Sequence, residues 1–159
     1  DAIQNRHLSD NIVQEVHIVN DSVSSDKIQP LTNLFEDAEV TASAALANVT
    51  INVLNNSVRF FTGNNDKNFC INLRGDDSTT LNASMKNGNS ITTALIVTNG
   101  STPYFASNTQ VDNVLVVPKV QGGSQLSAGN ASSNDIYTIT ALKVGDNDFT
   151  MFLSQTQFA

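Results

Sequence analysis

The stretch Thr98-Asn99-Gly100-Ser101-Thr102-Pro103-Tyr104-Phe105-Ala106-Ser107, followed by Val111-Asp112-Asn113-Val114-Leu115-Val116-Val117-Pro118, decides the fold class. It reads as strand, tight turn and strand. Asn99-Gly100 offers the positive φ that a hairpin turn requires. Residues 111–117 are β-branched and mostly apolar, and Pro118 ends them by removing a backbone donor. Lys119-Val120-Gln121-Gly122-Gly123-Ser124 then opens a Gly-, Ser-, Asn- and Ala-rich loop with Leu126 as its apolar residue. Asn134-Asp135-Ile136-Tyr137-Thr138 returns the chain to a strand.

Outward from this block the same two-residue period continues. Strands are expected over residues 40–43, 48–54, 57–62, 68–74, 90–98, 103–106, 111–118, 136–144 and 148–154. Val49, Ile51 and Val53 alternate with polar residues and must share one face. Turn residues separate the runs at Asn55-Asn56, Gly63-Asn64-Asn65, Gly75-Asp76-Asp77, Asn87-Gly88-Asn89, Asn99-Gly100 and Gly145-Asp146-Asn147. Regular strand–turn spacing of this kind predicts an all-β fold, a β-sandwich resembling a jelly roll. The single helix expected covers residues 77–85, with Asp or Ser as its N-cap and Leu81 and Met85 four apart on one face.

The totals agree. A chain of 159 residues fits one ordinary domain plus an extension, and 40% apolar content is enough for a core. Charged residues are sparse at 14%, and eight Phe outweigh two Tyr with no Trp. Abundant neutral Asn, Ser and Thr suit a half-solvated β surface better than a helical one. The net charge of −7 and a pI near 4.4 disfavour nucleic acid as a partner, because no basic patch is present to neutralise phosphates. No apolar run approaches a membrane span, and no signal peptide opens the chain. Cys70 is the one cysteine, which rules out an internal disulfide, and its apolar neighbours Phe69 and Ile71 mark it as a core residue.

Several of these motifs also carry a resemblance. The Asn99–Phe105 segment, the Pro118-Lys119-Val120-Gln121-Gly122-Gly123 segment, the Gly129–Thr138 segment and the tail Ser154-Gln155-Thr156-Gln157-Phe158-Ala159 occur in one order. That order resembles the C-terminal domain of structural fibre proteins of marine tailed phages, cyanophages and pelagiphages above all. The resemblance covers residues 40–159. It implies that Ala159 is the natural C-terminus, while Asp1, not being Met, implies residues before it. One departure is plain: the family usually has Trp where this chain has Val120.

Residues 1–34 differ in character from 35–159, and the two are expected to be a stem and a head domain. Val19-Asn20-Asp21-Ser22-Val23-Ser24-Ser25-Asp26-Lys27-Ile28 alternates apolar residues with turns, and Leu8-Ser9-Asp10-Asn11-Ile12-Val13 is an imperfect predecessor. The unit resembles the short repeats of phage fibre shafts. Alone it has too few apolar residues to offset its ordering entropy. Three copies wound about one axis would bury Ile12, Val13, Val19, Val23 and Ile28, which makes it a short extended stem that trimerises. A solvated linker and a short helix over residues 11–17 are the other readings. Pro30 ends the segment and Leu31, Leu34 and Phe35 form an apolar plug before the head.

The residues that carry chemistry are few. His7 and His17, the two histidines, both fall in the stem. Glu15, Glu36 and Glu39 are the glutamates, none in the body of the β domain, so an acid/base pair there would need two aspartates, most of which fall in turns, where Asp is favoured for backbone reasons. No catalytic residue, metal ligand or cofactor is assigned. Asp76-Asp77 and Asp146-Asn147-Asp148 lack the spacing of a calcium loop. The candidate contact residues, for a receptor or a neighbouring subunit, are Tyr104, Phe105, Lys119, Gln121, Asn130, Asn134, Asp135 and Tyr137: aromatic faces and amide or acid groups of the kind that meet glycans. The resemblance implies a non-enzymatic virion protein: a homotrimeric tail-fibre or appendage component that attaches to the host. It would meet other virion proteins through its N-terminal segment and host surface glycan through its head, with no nucleic-acid or membrane partner. The alternative is a capsid or neck decoration protein that cements the shell without touching a host.

Overall fold

Alternation of inward apolar and outward polar residues builds every long strand of this chain. The computed structural model describes residues 38–159, all within the unit Glu36–Ala159. The expected stem, including Ile12, Val13, Val19, Val23 and Ile28, lies outside the described residues. In chain order the elements are β1 (Ala38–Thr41), β2 (Asn48–Asn52), β3 (Val58–Asn65), β4 (Phe69–Arg74), α1 (Leu81–Ser84), β5 (Ser90–Asn99), β6 (Ala106–Val111), β7 (Val114–Leu115), β8 (Lys119–Val120), β9 (Asn134–Gly145) and β10 (Asp148–Gln157). Among the described residues the fold is all-β apart from the single turn of α1 and a 3-10 turn at Gln121–Gly123.

Two sheets hold these strands. One is six-stranded in the order β1-β3-β5-β9-β10-β8, the other four-stranded in the order β2-β4-β6-β7. Successive strands from β1 to β6 therefore alternate between sheets, and within each sheet they run parallel. The chain winds as a coil. Ala38 lies opposite Val58 and Asn48 opposite Cys70, so the first circuit takes 20 to 22 residues. Val58 then lies opposite Ala94 and Cys70 opposite Asn108, a longer circuit of 36 to 38 residues, with the surplus in the insert that carries α1. Antiparallel strands close the coil: β9 pairs with β5 and β10 in the first sheet, and β7 pairs with β6 in the second.

This winding differs from the chain of hairpins that the turn residues predicted. Asn55-Asn56 and Asn99-Gly100 do punctuate strands, but the strands on either side belong to different sheets; Gly63-Asn64-Asn65, expected as a turn, instead lies within β3, where the pairing register shifts between Phe61 and Asn64. Asn99 ends β5 as a buried residue, and Gly100 does not adopt positive φ. Residues 103–105, expected as a strand, are irregular, and pairing begins at Ala106. The predicted 111–118 strand is broken at its second residue. Asp112 (φ 52°) and Asn113 (φ 67°) form a tight two-residue hairpin that pairs Val111 with Val114. Gly145-Asp146-Asn147 does make the expected hairpin between β9 and β10, with Asn147 at φ 53°.

Between the sheets lies a single apolar core. Val49 and Ile51 of β2 and Ile71 and Leu73 of β4 face Leu95, Val97, Ile139 and Met151 of the other sheet, all at most 2% exposed. Phe69 and Tyr137 meet across it edge to face, centroids 5.6 Å apart, an arrangement that matches ring edge to ring face electrostatically. Burial of side chains this large is the main term holding the sheets together, about 1.5–3 kcal/mol each. Cys70 is only half-buried, on the other face of β4 from Ile71, and burial still pushes its thiol up from the ordinary value.

The insert is fixed at both ends by side chains of the coil. Helix α1 is shorter than residues 77–85, because Asp76 draws residues 77–79 into a turn: its carboxylate accepts from the Ser78 and Thr79 amides at 2.8 and 2.6 Å. Those bonds hold Asp76 below the usual carboxylate range, the Ser78 amide contributing most. Thr80 is the N-cap, accepting from the Ala83 amide at 3.1 Å. The Asp112 carboxylate accepts from the Leu81 and Asn82 amides at 2.7 and 2.9 Å. At the other end the buried Lys143 ammonium donates to the Asn82 and Met85 carbonyls at 2.6 and 2.9 Å. An acid at the helix start and a cation at its end complement the peptide dipoles.

Candidate interaction surface

The coil ends at β7 and β8, the outermost strands of the two sheets on that side. Residues 116–118 cross from one sheet to the other there. Because the Asp112-Asn113 turn reverses the chain so early, the apolar run 114–117 cannot continue into the core. Asn113 is held in place by two hydrogen bonds with the buried Asn72: its amide donates to Asn72 Oδ1 at 3.0 Å, and Asn72 Nδ2 donates to Asn113 Oδ1 at 2.9 Å. Val114, Leu115 and Val117 are consequently 66%, 67% and 92% exposed. Val116 turns inward, its amide donating to the Thr109 carbonyl at 3.0 Å.

Beside this lip lies a groove of about 490 Å³. Phe105, Leu115, Pro118, Val120, Leu126 and Leu153 supply most of its apolar lining, and Ser107, Asn108 and Gln125 edge it. A second, polar recess of about 530 Å³ adjoins it through Val120, Gln125 and Leu126 and is lined by Gln121, Ser124, Gln155 and Gln157. Neither lining contains a charged residue. On the other side of β8, the Lys119 ammonium sits 5.7 Å from the centroid of the half-exposed Phe152 ring, a cation–π contact between neighbouring strands.

The eight candidate contact residues divide into four groups. Phe105 lines the groove, Gln121 lines the adjoining polar recess, and Lys119 lies on the other side of β8 beside Phe152. Tyr104 is half-buried, its amide donating to Asn99 Oδ1 at 3.2 Å. Asn130 and Asn134 are exposed but serve the C-terminal tail. Asn130 Nδ2 donates to the Phe158 carbonyl at 3.5 Å, and the Asn134 carbonyl accepts from the Phe158 amide at 2.9 Å.

Asp135 and Tyr137 are both fully buried, so neither is a surface contact group as the sequence had predicted. They point inward because the register of β9 alternates from Asp135 through Tyr137 to Ile139. The Tyr137 hydroxyl accepts from the Ala106 amide at 3.3 Å, and burial raises its pKa far above the ordinary value. Asp135 Oδ2 accepts from Gln155 Nε2 at 3.0 Å and Asn99 Nδ2 at 3.3 Å. Oδ1 has no partner among the described residues. Burial therefore pushes the Asp135 carboxyl up, against the pull of the Gln155 and Asn99 donors. The same Gln155 amide donates to the Ser127 carbonyl at 2.9 Å, tying the 124–133 loop to β10.

The residues that sequence reasoning missed are Val114, Leu115, Val117, Leu126 and Phe152. Their apolar character was visible, but the 111–117 run read as a core strand. Only the Asp112-Asn113 pair, a favoured two-residue turn combination, signalled that the run reverses and surfaces. Among the described residues no three His, Cys, Asp or Glu side chains gather closely enough to hold a metal ion, and no helix is long and apolar enough to cross a membrane. Comparison of the chain with protein-family models, with curated proteins and with solved structures finds no significant match.

Proposed function

We propose that this chain is an assembly and adhesion module, a structural protein that works by its surfaces. The particular reading is a virion protein of a tailed phage, a homotrimeric tail-fibre or appendage component with a role in host attachment. The observation that carries it is the apolar lip of Val114, Leu115 and Val117 beside an uncharged groove. Exposed apolar patches on a folded domain mark contacts with other macromolecules. The titratable groups of the head support the same reading, since Asp76, Asp112, Asp135 and Lys143 are each engaged in holding backbone or side chains in place. In this reading residues 1–34 form the trimerising stem, and the polar recess of Gln121, Ser124, Gln155 and Gln157 is the face that meets neutral glycan. Repetition over three subunits multiplies weak contacts into useful avidity.

A second reading has its own observation. Val40, Leu46 and Leu54, at the opposite end of the coil, are 63%, 63% and 57% exposed. Apolar residues at both ends fit a protein that bridges neighbours in a shell, a capsid or neck decoration. The mass of residues 1–159 in solution, measured with and without residues 1–34, tests the first reading. A trimer that dissociates on truncation supports it, whereas a monomer in both cases overturns the stem. Copy number per virion then separates the readings: a few trimers at the tail indicate a fibre, and hundreds on the capsid indicate cement.

A further inference from the structure

We infer that the outer face of the six-stranded sheet, beside β8, carries a subsite for an acidic sugar, a glycan residue bearing one carboxylate. The inference rests on the adhesion reading above and names the charged part of its ligand. Strand register sets the residues side by side. Lys119 lies opposite Phe152, Phe152 opposite Thr140, and Ser154 opposite Thr138. They share the outward phase of their strands, since Ile139, Ala141 and Leu153 between them are buried. Together with Gln121 they line a recess of about 270 Å³, smaller than a drug-sized pocket and suited to a single ring.

Each part of the recess answers a part of such a ligand. The Phe152 ring is 45% exposed and offers an apolar surface on which the C–H face of a sugar can stack. Gln121, Thr138 and Ser154 bring amide and hydroxyl groups that both donate and accept. Among the described residues none of these three side chains is spent on a hydrogen bond. The Thr140 hydroxyl is bonded to that of Thr92 at 2.8 Å. The recess shares Val120 and Gln121 with the polar recess on the other side of β8, so one glycan chain can lie across both.

The charge selects the kind of sugar. Most cations among the described residues are already engaged. Arg59 and Lys67 pair with Glu39 and Asp66, Arg74 donates to the Asp76 carbonyl, and Lys143 holds the Asn82 and Met85 carbonyls. Lys119 is exposed, has no such acceptor among the described residues, and meets no carboxylate in the lining of the recess. Its ammonium stands 5.7 Å from the Phe152 centroid, near the ~6 Å limit of a cation–π contact, so its N–H donors remain open to a ligand. One exposed ammonium matches one carboxylate. A phosphate, with nearly two charges, is matched by a cluster of cations, and a single lysine lines this recess.

The test is a ligand-observed NMR titration of the full 159-residue chain with the methyl glycosides of glucuronic acid and of glucose, the same ring with and without the carboxylate. The glucuronide is expected to bind about 3- to 5-fold more tightly at low salt, the size of one exposed ion pair, and the preference should fade at ~500 mM salt. Lys119→Gln should bring the glucuronide down to the affinity of the glucoside and leave the glucoside unchanged. Phe152→Leu, which keeps apolar bulk without the ring, should weaken both sugars. Thermal midpoints should stay close to wild type, because both side chains stand on the outer face. Equal affinity for the two sugars, a preference that survives K119Q, or no binding of either at ~20 mM would overturn the subsite. Sodium acetate binding as tightly as the glucuronide would also overturn it, by leaving the sugar ring without a role. The oligomer mass is independent of these titrations, so loss of the subsite leaves the trimer reading to its own test.

Discussion

Gly129 rests directly on the buried Asp135 carboxylate, and Gly129→Ala measures how tightly the long loop is seated. A Cβ at residue 129 would fall 1.9 Å from Asp135 Oδ2, 2.2 Å from Oδ1 and 2.4 Å from Cγ, whereas real Cβ atoms essentially never come within 3.0 Å of a neighbour. The backbone of Gly129 does not have positive φ, so the clash is the whole effect. Asp135 cannot retreat without breaking its bonds to Gln155 and Asn99. The loop must lift instead, and it then loses the two bonds between Gln155 and Ser127. Overpacking of a tight site costs about 1–3 kcal/mol, and each surrendered hydrogen bond about 0.5–1.5 kcal/mol. The substitution should therefore destabilise the fold by about 2–6 kcal/mol, lowering the urea midpoint by roughly 1–3 M. Asp135→Ala removes all three clashing atoms, so G129A placed on that background should cost under about 1 kcal/mol, a non-additivity that a double-mutant cycle reads directly. Equal cost of G129A in both backgrounds would refute the seating of the loop on Asp135.

Three further outcomes are expected. Because burial raises the Asp135 carboxyl, the folded state holds its proton more tightly than the unfolded chain. This residue's contribution to stability is then fully present below the ordinary carboxylate pKa of about 4 and falls as pH rises through the raised value. Asp135→Asn should flatten that part of the stability–pH profile, and an unchanged profile would count against the assignment. Tyr137→Phe keeps the ring against Phe69 but strands the buried Ala106 amide. It should cost about 1–2 kcal/mol by chemical denaturation; a neutral result would mean the amide finds another acceptor. Val120→Trp introduces a tryptophan into a chain that has none, at the position that lines the 490 Å³ groove. The variant should fold with a blue-shifted indole emission, and the emission of a water-exposed indole would show that residue 120 does not face the groove.

The strands were legible because their period is simple: Val49 and Ile51 face the core as their alternation required, and the β9–β10 hairpin falls at Gly145-Asp146-Asn147. The direction of winding was not legible. A turn that leads back along the same sheet and a corner that leads across to the other use the same Asn and Gly residues, so Asn99-Gly100 read as a hairpin. Strand β6 escaped because two of its three inward residues, Ala106 and Thr109, are small or polar, leaving Val111 alone to mark the period. Of the candidate contact set, Phe105, Lys119 and Gln121 were found at least partly exposed. Asp135 and Tyr137 were not, because a polar group beside a polar loop reads as exposed until the strand register turns it inward.

The strand order has a consequence for how the chain is made. Strand β9, which joins the parallel coil to the closing hairpin, lies fourth in a six-stranded sheet, yet it is made after every strand of the parallel coil. Until it arrives, the edge of β5 is open and the inward faces of Leu95 and Val97 lack Tyr137 and Ile139 opposite or beside them. Domains generally fold as units once their parts are available. This one therefore completes only once β9 and β10 have been made, and a nascent chain stalled before residue 134 would carry the open edge of β5 unpaired.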